Sequence, residues 1–205
     1  MAAIYVDGIK TSCMAIGGGG TQVVEKTYAK FNGHGIRLPF SINSDYKITV
    51  VFNQQSYTSA ENIIGNAREF DDGDPSYSQL TIYNNKYYSS IGSSEDYFGT
   101  WSSGEHTYVN NNGNNHNEFD GVEVQSYTPK DLSSYFYTIG IRGAGSITIV
   151  SYIKSYKIES ISTGDIICEL VPCLFDGTVA CLYDKVNKIF YYPEGLTVMD
   201  TIPTT

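Results

Sequence analysis

A chain of 205 residues, 41% of them hydrophobic, suits one β-sandwich-sized domain with short appendages. A formal net charge of −9 and a pI of about 4.7 argue against nucleic acid or an anionic membrane as partner, because a basic face would have to supply that affinity. No run approaches the ~20 apolar residues of a membrane span, and the N-terminus lacks a charged segment followed by an apolar one, so no secretory signal is expected. The four cysteines, Cys13, Cys168, Cys173 and Cys181, are expected as free thiols in a reducing cytosol, since a chain of this size needs no disulfide staple.

In chain order, residues 1–27 read as separate from the rest of the chain: IYVDGIKTSCMAI around Asp7-Gly8, then a flexible break at Gly17 to Gly20. They are either a frayed terminus with a linker or an arm that attaches the domain to a larger assembly through residues 1–20. A phosphate-binding loop is not expected, because no Lys-Ser/Thr follows the glycines. From residue 28 to 205 the pattern is short strands between turn residues. Tyr28 to Phe40 opens it, and YKITVVF over Tyr46 to Phe52 is a clear strand. Ile63 and Ile64 mark another, and residues 66–79 read as a polar loop. Leu80 to Tyr83 and Lys86 to Ile91 form a hairpin about Asn84-Asn85. Tyr97 to Trp101 and His106 to Val109 come next, the latter ended by the amide-rich run at 110–117. Glu123 to Tyr127 and Phe136 to Ile141 complete the middle of the chain.

The C-terminal quarter is the most regular. Ile147 and Ile149 alternate, then the apolar phase shifts to Tyr152, Tyr156 and Ile158, as a bulge would produce. Ile166, Cys168 and Leu170 alternate again, and Pro172 is expected to confine that strand to an edge or an end. Asp176-Gly177 is a hairpin signal, after which Val179, Cys181 and Tyr183 face one way. Asp184 to Lys188 turns the chain into Ile189 to Tyr192. With no helical period anywhere, the expected fold is all-β, a two-layer antiparallel sandwich.

The succession SYKI, LVPC, DG, ACLYD, VNK and IFYY resembles the C-terminal signature of concanavalin A-like (laminin G-like) jelly-roll domains. FNGHGIRLPFSINSDYKITVVF with NIIGN is more loosely similar to the opening strands of that family. Such domains occur in head-fibre, tail-fibre and decoration proteins of phages of gut bacteria and in related bacterial surface proteins. The resemblance therefore implies a virion protein assembled in the host cytoplasm, in many copies or as a homo-oligomer, with a lectin-like surface for host or mucus glycans.

Three constellations could carry chemistry. EFDGVE, with Glu118, Asp120 and Glu123, matches the ExDxxE spacing that laminarinase-type glycosidases use on this fold for a retaining mechanism. Here Glu118 and Asp120 would share a strand face, with Glu123 brought round by a bulge. Against it, Asp120-Gly121 is itself a turn pair that would put the carboxylates at an exposed tip. The carboxylates Asp71, Asp72 and Asp74 lie in one loop and could hold calcium, as laminin G-like domains do at a loop edge, though the spacing is not that of an EF-hand. Asp74, Tyr77, Tyr97, Trp101 and Asn112 offer the aromatic and planar polar groups that sugars stack on and bond to. His34, His106 and His116 lack zinc spacing, and neither a Ser-His-Asp nor a Cys-His set is visible. The expected function is thus a non-enzymatic virion structural protein without a required cofactor. The alternatives are a bacterial carbohydrate-binding module and a glycosidase using Glu118 and Glu123.

Overall fold

The computed structural model describes residues 13–15, 22–32, 35–56, 60–67, 78–83, 85–91, 94–127, 133–142, 145–146 and 151–203. The order is β1 (Cys13–Ala15), β2 (Val23–Glu25), β3 (Tyr28–Lys30), β4 (Ile36–Ser41), β5 (Tyr46–Gln54), β6 (Ala60–Ala67) and β7 (Ser78–Tyr83). Then come β8 (Lys86–Ile91), β9 (Ser94–Thr100), β10 (Gly104–Asn111), β11 (His116–Phe119), β12 (Val122–Ser126), β13 (Phe136–Ile139), β14 (Ile141–Arg142) and β15 (Gly145–Ser146). The chain closes with β16 (Tyr152–Ser160), β17 (Ile166–Phe175), β18 (Val179–Asp184), β19 (Ile189–Tyr191) and β20 (Thr197–Met199).

The strands form two antiparallel sheets packed as a sandwich. The larger runs β1-β19-β18-β17-β16-β5-β10-β11-β12, with β2 added to β17 and β3 linking β16 to β20. The smaller runs β4-β13-β6-β7-β8-β9, and β14 and β15 make a separate short ladder. The core lies between the sheets. Period-2 alternation puts Ile48, Val50 and Phe52 of β5 into it, each at most 1% exposed, against Ile63, Leu80 and Tyr137 of the smaller sheet. Tyr87, Tyr108, Tyr135, Tyr137, Tyr156 and Tyr191 make this core amphipathic. Burial raises the phenol pKa of Tyr108 and Tyr156 well above the ordinary value, and that of Tyr127 up to about 12.

Two Asp-Gly pairs turn as their residue types predict. Asp120 (φ 51°) and Gly121 (φ 78°) join β11 to β12, and Asp176 (φ 48°) and Gly177 (φ 70°) join β17 to β18. Both central residues at positive φ are what a type I′ turn requires, and its twist matches that of the strands. β16 carries a bulge between Ile153 and Ser155 in its pairing with β5, while Ile147 and Ile149, the other side of the expected phase shift, lie outside the described residues. The bulge brings Ile153 and Tyr156, three apart, onto the core side, while Tyr152 packs edge-on against Tyr28.

Two expectations need correction. Pro172 is in an interior strand, not at an edge or an end. β17 pairs β16 only through Leu170 and takes up β2 from Cys173, so the proline's missing N–H falls where one partner gives way to the next. Its carbonyl, on that same side, accepts from Lys26 N at 2.8 Å. Two short strands precede residue 28. β1 registers Cys13, Met14 and Ala15 with Tyr191, Phe190 and Ile189, and β2 registers Val23–Glu25 with Phe175–Cys173. Both strands therefore belong to the large sheet. Finally, the amide-rich run at 110–117 does not end the strand: Asn110 and Asn111 continue β10, His116 and Asn117 open β11, and only 112–115 form the hairpin turn between them.

Candidate functional site

Of the residues read as glycan ligands, Asp74 and Tyr77 lie outside the described residues, as do the calcium candidates Asp71, Asp72 and Asp74. The other three are not brought together. Tyr97, in edge strand β9, is half exposed, with Tyr88 beside it and the Lys86 ammonium 5.2 Å from its ring centre. Trp101 packs against the main core, and its backbone N–H donates to the Asn85 carbonyl at 3.0 Å. Asn112 follows the far end of β10, whose eight residues span roughly 23 Å. It is buried: its Nδ2 donates to Tyr137 OH at 3.0 Å and the Asn43 carbonyl at 3.2 Å, and its Oδ1 accepts from Tyr127 OH at 3.1 Å. An amide occupied in this way has no face for a sugar.

Asn112 ends a buried polar network that the amide-rich sequence did not announce. Asn110, Asn117 and Gln125 are direct cross-strand neighbours on β10, β11 and β12. Asn110 Nδ2 donates to Asn117 Oδ1 at 2.8 Å and to Tyr127 OH at 3.0 Å. Asn117 Nδ2 donates to Gln125 Oε1 at 2.7 Å and to Ser89 Oγ of the facing sheet at 3.2 Å. Linked amides of this kind are costly unless paired, so they set the register of the three strands and tie the two layers together.

The ExDxxE carboxylates are dealt to different partners. Glu118 lies on β11 beside His116, whose Nε2 is 2.9 Å from Glu118 Oε1. Glu123 stands opposite Glu118 across a bulged register and accepts from Ser126 Oγ at 2.7 Å. Asp120 sits in the turn between them rather than on Glu118's strand face, and it reaches back to β10. The expected shared face of Glu118 and Asp120 is therefore absent, because the I′ turn interrupts the strand at Asp120.

Asp120 completes a constellation invisible in the sequence. His106 is 7% exposed, enclosed by the rings of Phe52, Tyr87 and Phe119. Its Nδ1 lies 2.8 Å from Asp120 Oδ2, and Asp120 Oδ1 accepts from Thr107 N at 2.8 Å. Its Nε2 lies 3.1 Å from the Ser102 carbonyl oxygen and 3.4 Å from Ser102 Oγ. The atoms are those of a Ser-His-Asp set, yet the arrangement suits a different task. A general base must turn a free Nε2 lone pair to the serine hydroxyl. Here the nearer neighbour of Nε2 is a carbonyl, which only accepts and which also receives Tyr87 OH at 3.2 Å. The ring bridges the Asp120 carboxylate and the Ser102 carbonyl, and so pins the β11–β12 turn to the segment before β10.

Two further acidic side chains are likewise occupied. Asp45 accepts from Ser160 Oγ at 2.6 Å, Ser162 Oγ at 2.9 Å and Ser162 N at 2.9 Å. These bonds, that of Ser160 first, hold its carboxyl below the ordinary value. Asp184, fully buried, organises the turn before β19. Among the described residues no group of three or more His, Cys, Asp or Glu side chains is placed to hold a metal ion, and no helix is long and apolar enough to cross a membrane. Neither a protein-family model nor a curated protein sequence matches the chain.

Proposed function

We propose that the chain is a non-enzymatic, lectin-like β-sandwich displayed on a phage particle, as a head-fibre, tail-fibre or decoration domain, with host or mucus glycans as its ligand class. The observation that carries the non-catalytic part is the His106 clamp. Ser102, His106 and Asp120 have the makings of a hydrolase, but the histidine is spent on a carboxylate and a backbone carbonyl. Glu118 and Asp120 of the glycosidase-like motif are divided between two histidines. What remains is a rigid two-sheet scaffold, the usual support for a binding surface at loops and edges. Among the described residues Tyr97, exposed on edge strand β9 beside Lys86, is the aromatic group best placed to stack on a sugar.

The test has two arms. Mass spectrometry of purified virions should find the chain as a stoichiometric component, and its absence from every particle fraction would overturn the virion assignment. A glycan array probed with the purified chain should show binding that falls at least tenfold in Tyr97→Ala. Release of reducing sugar from a β-glucan, abolished in Glu118→Gln, would instead establish the glycosidase reading.

A further inference from the structure

The large sheet carries a second apolar cluster, on the face turned away from the main core. Alternation along β17 sends Cys168 and Leu170 into the main core and Cys173 and Phe175 the other way. Alternation along β18 sends Leu182 inward and Cys181 and Tyr183 outward. Cys173 and Cys181 are direct cross-strand partners, both fully buried, with their sulfurs 3.1 Å apart. Phe190 lies with them, and Phe175, Tyr183 and Tyr192 pack around it at ring separations of 5.1, 4.6 and 6.3 Å.

Their register suits a bond. The Lys185 N–H donates to the Glu169 carbonyl, so Glu169 points its backbone groups at β18, and Cys173, four residues on, does the same. The two cysteines thus occupy a hydrogen-bonded pair, where Cα atoms stand about 5.5 Å apart, at the centre of the range disulfides span. We propose that Cys173 and Cys181 form an oxidation site: a thiol pair held ready to close into a cross-strand disulfide when the protein meets a peroxide.

The chemistry balances with hydrogen peroxide as oxidant. The thiolate of one cysteine attacks one peroxide oxygen, the O–O bond breaks, and hydroxide leaves, giving a sulfenic acid. The sulfur of the other cysteine then attacks that sulfur, the S–O bond breaks, and water leaves with the second thiol's proton. Peroxide gains the two electrons that the two thiols lose. The contact between the sulfurs lets either thiol donate a hydrogen bond to the other, which favours the thiolate of the one that accepts. Cys168, by contrast, is pushed up by burial and by the neighbouring Asp184 carboxylate, and stays a thiol. A small oxidant suits the site, because the strand beside Cys173, β2, is three residues long and is the kind of short segment that opens locally. If the domain is a virion component, the reduced pair belongs to assembly in the host cytoplasm and the closed one to the released particle.

The test treats the folded, full-length chain with hydrogen peroxide and maps its peptides without reduction. The expected result is a Cys173–Cys181 linkage, a fall of two in the count of free thiols, and full reversal by dithiothreitol. In Cys173→Ser, a sulfenic acid trappable at Cys181 is expected. Oxidation of either residue to a sulfinic acid without a linkage would overturn the proposal, as would a linkage that forms only in denaturant.

Discussion

His106 Nδ1 lies 2.8 Å from Asp120 Oδ2, which makes the tip of one hairpin a partner of the strand next to it. Asp120 is at once the first residue of an I′ turn, an acceptor for Thr107 N and the anchor of a buried imidazole. The clamp and triad readings of this contact part company on mutation. Asp120→Ala removes a charged acceptor from two donors and is expected to cost about 1 kcal/mol, the partial exposure of the carboxylate moderating the loss. Ser102→Ala leaves the carbonyl that His106 binds and is expected to shift stability by less than about 0.5 kcal/mol. Urea denaturation of both variants measures this. A Ser102→Ala variant that abolished an esterase activity of the wild type would show a triad instead.

Asp184 should be far less tolerant. It is fully buried, its Oδ1 accepting from Glu169 N at 3.3 Å, Val186 N at 3.0 Å and Asn187 N at 3.2 Å. Its Oδ2 accepts from Asn187 Nδ2 at 2.7 Å, and that same amide nitrogen donates to the Ile167 carbonyl at 2.9 Å. In Asp184→Asn one oxygen becomes a donor that must face another donor, and Asn187 cannot flip to relieve it without losing Ile167. A loss of roughly 1.5–3 kcal/mol is expected in chemical denaturation, with Asp184→Ala at least as damaging.

The Asp45 carboxylate makes stability depend on acid pH. Its pKa is lowered in the folded protein, chiefly by the Ser160 hydroxyl, from an ordinary 3.8. The stabilisation is therefore fully present above that ordinary value and is lost as pH falls through the lower, folded one. Urea midpoints measured from neutral pH downward should fall more steeply for the wild type than for Asp45→Asn in that acid range. Parallel curves would show that the Ser160 and Ser162 bonds do not discriminate between the charged and neutral forms.

How much of this was legible in the chain can be argued from its ends and its middle. The C-terminal β17–β18 hairpin was readable because its strands alternate and Asp176-Gly177 takes a backbone conformation few other dipeptides favour. The common facing of Val179, Cys181 and Tyr183 came from period alone. The meeting of Cys173 with Cys181 needed the register, which depends on how many residues the turn absorbs. His106 and Asp120 are 14 residues apart with a second hairpin between them, so no spacing rule could pair them. The amides of 110–117 have the composition of a solvated loop, and only the facing sheet, through Ser89 and Tyr137, turns them into buried structure. Pro172 misled for a related reason: a rule about missing N–H groups holds strand by strand, and this sheet exchanges one neighbour for another at that residue.

The N-terminal segment bears on both fold and assembly, and its removal distinguishes them. Residues 1–27 carry Ile4, Val6, Ile9, Met14 and Ile16, too few for a core of their own yet more apolar than a solubilising tail needs. Such a segment requires a partner surface. β1 finds one on β19, with three register pairs, and β2 finds another on β17. Deleting residues 1–20 removes β1 and leaves β19 as an unpaired edge, while every strand of the main core remains. The shortened chain should therefore still fold to an all-β spectrum, because its core is intact, but with a lower melting temperature. A loss of about 2 kcal/mol corresponds to about 4–8 °C for a domain of this size. Differential scanning calorimetry beside circular dichroism provides the comparison. An unchanged melting temperature together with loss of incorporation into particles would mean that the segment serves a neighbouring subunit rather than its own sheet.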